Sequence, residues 1–267
     1  MTGFRFGAVA ALQGPASLWA QAARALEDAG YSTLLVPDTL RTISPFPALA
    51  AAAAATTVLH VGTWVVSAPL RSPAALVRET RALQELSTGR LELGVGAGRP
   101  GGEGDAEVLG VPWGRPGVRV GQVEAALTAA RGVEPMPRLV VAAAGERMLT
   151  IAGRLADTIA LPAGPMSGPD EVSALAARAR MLAGEGKELS VQIAGLGDDV
   201  PAGLRGRPGM SAESMRERRV PTLLSGDPAR DADALAVLRE RTGISYITVP
   251  HEFAARVAPL VKLLTGR

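Results

Sequence analysis

Short apolar runs rich in Val, Leu and Ile alternate along this chain with longer stretches whose apolar positions return every three or four residues. These are the signatures of strands and of amphipathic helices. The runs FRFGAVA, STLLVP, VLHVGTWVV, RLELGVG, RLVVAAA, DTIALP, LSVQIAG and ISYITVP predict eight strands. Helices are expected between them. The first covers 17–28, with Ser17 as N-cap and Gly30 just past its end; the second is the alanine tract after Pro47. A third is capped by Ser72 with Pro73 in its first turn, and 118–130, ERMLTIAGRL, 170–183, DPARDADALAVLRERTG and EFAARVAPLVKLL follow. Residues 196–220 fit neither pattern. They are rich in Gly, Pro and charge and are expected to form a mobile lid.

Strands joined by crossover helices lie parallel. Eight such units predict one α/β domain over 1–267, a closed (β/α)8 TIM barrel, with an open doubly wound sheet as the alternative. In a barrel the chemistry collects where strands end and helices begin. That rule puts 37–41, 64–69, 96–105, 143–146, 162–166 and 250–252 at the reactive mouth. His60, at the start of its strand, falls at the opposite end and reads as a packed histidine.

Composition narrows the chemistry. Aromatic residues are only 3% of the chain, so the core must be aliphatic and alanine-rich. Without cysteine there is no thiolate nucleophile and no Cys-built metal site; two histidines are too few for a multi-histidine centre, so no metal is expected. The net charge of +2 is spread over interleaved acids and arginines, not gathered into the basic stripe of a nucleic-acid binder. His60, the threonines and Gly62 interrupt the apolar run FPALAAAAAATTVLHVGTWVV, so no membrane span is expected. The N-terminus lacks the basic-then-apolar order of a signal peptide, and a cytoplasmic location is the expectation.

The stretch LSTGRLELGVGAGRPGGEGD, 86–105, places a glycine cluster directly behind a strand. It is not a dinucleotide fingerprint, which opens a helix in the first βαβ unit, nor a Walker loop, which needs Gly-Lys-Ser/Thr. Pro100, Gly101 and Gly102 are expected to prevent an immediate helix. The glycines either shape a turn or admit something flat close to the backbone.

Five blocks, in order over most of the chain, resemble the bacterial luciferase-like family and above all its coenzyme F420-dependent branch. They are RFG, ARALEDAGYSTLLVPD, ALAAAAAATTVLHVGTWVVSAPLRSPAALVRETRALQELSTGRLELGVGAG, PRLVVAAAGERMLTIAGRLADTIAL and RERTGISYITV; the third is the most characteristic. The resemblance implies a (β/α)8 barrel and a small organic substrate. It implies that Gly96, Ala97 and Gly98 border a flavin or deazaflavin ring, so that Gly98→Val would abolish cofactor binding in a folded barrel. It implies a strained or cis peptide between Trp64 and Val65 against the ring's other face. It also implies that amides of Ala143, Ala144 and Gly145 hold the cofactor phosphate at a helix start. Relatives commonly pair through the second and third helices, which implies a homodimer.

The chain departs from the family pattern in places. Many relatives carry Asp-His at the end of the second strand, where this chain has Asp38-Thr39. Asp38 then either catalyses or holds a turn, and His251, the only histidine at the predicted mouth, is the other catalytic candidate. Arg99 stands where relatives usually have an acidic or bulky residue, and is expected to meet phosphate, an acidic substrate group or solvent. The GVEPMP connection and the loop after Gly98 are shorter than is usual in the family, which marks a compact member. Three functions are consistent with these features. The first is an F420-dependent oxidoreductase, the second an FMN-dependent monooxygenase with a partner flavin reductase. The third is a degenerate barrel that binds a small molecule or a protein without redox chemistry.

Overall fold

The computed structural model describes residues 3–267. Its strands are β1 (Arg5–Val9), β2 (Thr33–Val36), β3 (His60–Thr63), β4 (Val66–Ser67), β5 (Leu91–Gly96), β6 (Arg138–Ala142), β7 (Thr158–Ala160), β8 (Glu188–Gln192), β9 (Gly195–Leu196), β10 (Leu223–Leu224) and β11 (Ile244–Pro250). The helices are α1 (Ala16–Asp28), α2 (Pro45–Ala54), α3 (Pro73–Leu86), α4 (Gly102–Val108), α5 (Pro116–Ala130), α6 (Glu146–Leu155), α7 (Pro169–Ala183), α8 (Ala212–Glu217), α9 (Pro228–Thr242) and α10 (His251–Leu264). The large sheet runs β3-β2-β1-β11-β8-β7-β6-β5-β4, and β3 also pairs with β5, so the sheet closes on itself. Its pairings are parallel. β3 and β4 are two halves of one predicted strand, parted by Trp64 and Val65, whose peptide bond is cis. The fold is a (β/α)8 TIM barrel.

Local sequence accounts for most boundaries. The Ser72 hydroxyl accepts the Ala75 amide at 3.2 Å with Pro73 in the first turn, and Asp227 caps α9 by accepting the Arg230 amide at 2.9 Å. Ser17 does not cap α1. The helix starts at Ala16 behind extended Pro15, without a side-chain cap, because the fixed φ of proline already suits the turn into a helix. The glycines after Pro100 do not prevent a helix either. Gly101 takes a left-handed φ of 77° and turns the chain directly into α4.

Side chains of alternate strand residues fill the barrel in layers. Small residues in the middle layer make room for one large ring: a Cβ on Gly7 would lie 2.6 Å from Tyr246 Oη. Below it, at the N-terminal ends of the strands, the interior is charged. Arg5 donates to Glu92 at 2.6 Å and to Glu188 at 2.9 and 3.0 Å, and its guanidinium lies 4.0 Å from the Tyr246 ring centre. Thr33 donates to Glu92 at 2.9 Å; Thr158 and Arg138 donate to Glu188 at 2.8 and 3.1 Å. Burial alone would raise the Glu92 carboxyl, but the charge and hydrogen bond of Arg5 outweigh it and hold the group below the usual carboxylate range. His60 lies at this same base, its Nδ1 3.8 Å from Glu92 and its pKa lowered chiefly by burial.

Residues 196–220 are built around a small apolar cluster of their own, formed by Ala194, Val200, Ala212, Met215 and Val220. β9 and β10 make a two-stranded parallel sheet there. The segment is tied to α10, where Glu252 accepts the Ala202 amide at 2.8 Å and binds Arg205 at 2.7 Å, and Arg256 meets Asp199 at 2.5 Å. It is a folded cap beside the barrel mouth. α2 buries Phe46, Ala48, Leu49, Ala52 and Ala53 in the core of its own chain.

Candidate active site

The C-terminal ends of the strands surround a cleft with two lobes. The first, about 490 Å³, is bounded by Asp38, by Trp64 through Ser67, by Gly96 through Arg99 and by Ala142 through Ala144. The second, about 470 Å³, lies under the cap, against Leu161, Gln192, Ile193, Leu204 and Arg207. Trp64, Val65, Ala142 and Pro162 line both, so the cis Trp64–Val65 segment forms the ridge between them. The Trp64 indole meets Tyr246 edge-on, with ring centres 6.2 Å apart, and floors the cleft over the barrel axis.

The glycines divide into two groups by what approaches them. A Cβ on Gly96 would lie 2.8 Å from Val65 Cγ2, so Gly96 lets the ridge lie close to the end of β5. Gly98 borders the first lobe, but its missing side chain serves something else. At φ 86° a Cβ there would overlap the Trp113 indole, and one on Gly102 would overlap the same ring. Trp113 is clamped from behind by Arg119, whose guanidinium lies 4.7 Å from its ring centre and whose Nε donates to Ala97 O at 3.1 Å. An indole of the same chain thus occupies the space that a Gly98 side chain would take, while Gly98 itself still lines the lobe.

Three further candidate residues have surroundings of their own. Asp38 accepts Arg71 Nε at 3.1 Å, Arg71 Nη2 at 2.7 Å and the Ser67 amide at 3.2 Å, so both oxygens are engaged and the carboxylate braces β2 against β4. It is not placed as a free acid or base. Asp38→Asn is expected to lower stability by about 1–2 kcal/mol, since one charged pair inside a partly buried turn is lost; urea unfolding measures it. His251 opens α10 but lines a separate, largely apolar hollow between α1 and α10, with Leu18 and Ala254. Burial lowers its pKa, and it lines neither lobe. Asp38 and His251 are not brought together. Arg99 pairs with Asp105 of α4 at 2.7 Å, so its charge is already matched.

The luciferase-like monooxygenase family model matches residues 4–130, which hold β1 through α5 and the ridge. The N-terminal half of the barrel is therefore similar to the luciferase-like monooxygenase family. A structure of coenzyme F420-dependent tetrahydromethanopterin reductase from Methanopyrus kandleri superposes with a TM-score of 0.76, covering 98% of this chain and 100% of that one at 16% identity. A riboflavin lyase holding modified FMN and riboflavin gives 0.71, covering 98% and 92% at 15% identity. An uncharacterized protein of Mycobacterium tuberculosis is 31% identical over 122 residues, which cover 37% of this chain. The match spans only 42% of that relative's length.

In this barrel the Ala143–Ala144–Gly145 stretch closes the far end of the first lobe. Ala143 and Ala144 line it, and Gly145 precedes α6, whose first-turn amides are free of helical partners. A Cβ on Gly117 would lie 3.4 Å from Arg147 Nη1, which places Arg147 between α6 and the start of α5, where Arg115 is the N-cap. Ser67 was missed from sequence. It lines the first lobe and its Oγ is buried without a hydrogen-bond partner among the described residues. Its place in SAPL just after GTWVV was the available signal. Trp113 was missed as well, although one of only three tryptophans in an aromatic-poor chain invites the question of what it touches. Among the described residues no cluster of His, Cys, Asp or Glu is arranged to hold a metal, and no helix is long and apolar enough to cross a membrane.

Proposed function

We propose that this barrel is a luciferase-like oxidoreductase using coenzyme F420, with hydride transfer between the deazaflavin and a small organic substrate. The observation that carries the reading is the first lobe. It is a mostly apolar slot between the ridge and the end of β5, with one buried, partnerless hydroxyl, Ser67 Oγ, on its wall. A buried polar atom without a partner costs about 1–3 kcal/mol, and a flat heterocycle with polar edges satisfies it while filling the slot. That hydroxyl argues against a barrel with no ligand.

When bound, the deazaflavin supplies the hydride chemistry, and the chain supplies position and dryness. Trp64 and Val65 support one side, Gly96 and Ala97 border the slot, and Ser67 fixes the ring's edge. Ala143, Ala144, Gly145 and the open amides of α6 suit a phosphate. Arg147, in the first turn of α6, and Arg115, at the start of the neighbouring α5, have no side-chain partner among the described residues. Two free cations beyond a single phosphate site favour a cofactor with a longer anionic tail, as F420 has. The alternative is an FMN-dependent monooxygenase fed by a partner reductase; its single phosphate is answered by the α6 amides alone.

Arg147→Glu is expected to weaken F420 binding about tenfold, the loss of one charge-assisted contact, and FMN binding less. Quenching of cofactor fluorescence reads both. Equal F420 affinity in the variant and the parent would remove the support the arginines give.

A further inference from the structure

The second lobe carries information about the substrate. Its walls are apolar, from Leu161, Pro162, Ile193 and Leu204, and the cap supplies its one charged lining residue, Arg207. Three other cap arginines have partners, and Arg219 does not line the lobe. Arg205 binds Glu252 and Arg218 donates to Met166 O, while Arg216 pairs with Asp198. Arg207 has no side-chain partner among the described residues. Its backbone is nonetheless held at the corner of two turns, donating to Leu204 O and accepting from Met210, each at 3.1 Å. Across the lobe the side chain of Gln192 is exposed at the end of β8, offering an amide without a protein partner among the described residues.

We infer that the second lobe binds an organic carboxylate with an apolar body, its carboxylate on Arg207 and its reacting end toward Gln192 and the Trp64–Val65 ridge. The chemistry is that of a planar guanidinium fork, which suits a carboxylate bidentately, above a surface that rewards burial of hydrocarbon. A neutral ligand would leave the cation unmatched, and a highly polar one would waste the walls. The inference rests on the proposed seating of the redox cofactor in the first lobe, which leaves the second to the substrate.

The test uses a matched probe pair, 4-phenylbutanoate and 4-phenylbutanamide, titrated calorimetrically into the full chain at low ionic strength, with and without F420. The carboxylate is expected to bind about tenfold more tightly than the amide, the size of one charge-assisted contact. Added salt should shrink the preference. Arg207→Gln should erase it and Arg207→Lys keep part of it, while Arg205→Gln, removing a cap arginine outside the lobe, should leave it intact. Circular dichroism of each variant checks the fold. Equal binding of acid and amide, no binding of the acid, or a preference that survives Arg207→Gln overturns the inference. So does displacement of the acid by F420, which would put both in one lobe. If neither F420 nor FMN binds but the Arg207-dependent preference is present, the cofactor reading fails and the carboxylate lobe stands.

Discussion

Glu92→Gln is expected to cost the barrel about 3 kcal/mol, because it leaves the partly buried Arg5 guanidinium with half its counter-charge. In a chain of this size that is roughly 6–12 °C in thermal midpoint. Glu92 is fully buried and accepts both Arg5 and Thr33, so the amide that replaces it must turn one donor against another. The effect is pH-linked. The folded-state pKa of Glu92 lies below its unfolded value, so its contribution is complete above the ordinary carboxylate range, near 4.5, and disappears as pH falls through the folded pKa. His60 acts in the same direction, since a histidine whose pKa is lowered by folding favours the unfolded chain as pH drops below 6.5. The parent should lose stability steadily on acidification, and Glu92→Gln should flatten the lower part of that profile. A midpoint within about 2 °C of the parent at neutral pH would contradict this account of the charged layer.

Gly98→Val should also act through stability, by about 2–4 kcal/mol. A β-branched residue is forced to a φ of 86°, and its Cβ overlaps the Trp113 indole. Any fall in cofactor affinity should track this loss. Trp113→Ala removes the clashing ring, so the double variant should lose less stability than the sum of the two single changes, the mark of direct contact. Strict additivity would show that Gly98 and Trp113 are energetically independent. A thermal midpoint unchanged by Gly98→Val, together with lost cofactor affinity, would restore the reading in which the glycine makes room for a ligand.

These two residues illustrate what a sequence shows and what it withholds. Period and caps are local, so the eight βα units, the start of α3 at Pro73 and the span of α6 were legible directly. The charged base layer was not. Arg5, Glu92 and Glu188 lie up to 183 positions apart and meet only because the sheet closes, and each taken singly looks like a surface charge in an amphipathic protein. The glycine cluster was legible as crowding, but not what crowds it, because Trp113 reaches Gly98 across the intervening α4. Asp38 and His251 show the limit of arguing from position. Both sit at strand ends as expected, yet Arg71 engages the first and the α1–α10 hollow takes the second, and strand position does not fix where a side chain points. Ser67 was hidden for the opposite reason, since only its lack of a partner distinguishes it.

The central claim is that the slot between the ridge and β5 holds a deazaflavin or flavin ring, with F420 preferred. Its most direct measurement is titration of the purified chain with F420 and with FMN side by side, followed by fluorescence, and repeated with Ser67→Val. Saturable, stoichiometric binding that is tighter for F420 and weakened by Ser67→Val is the predicted result. Failure of both cofactors to bind at high concentration, by a chain that remains folded, would contradict it.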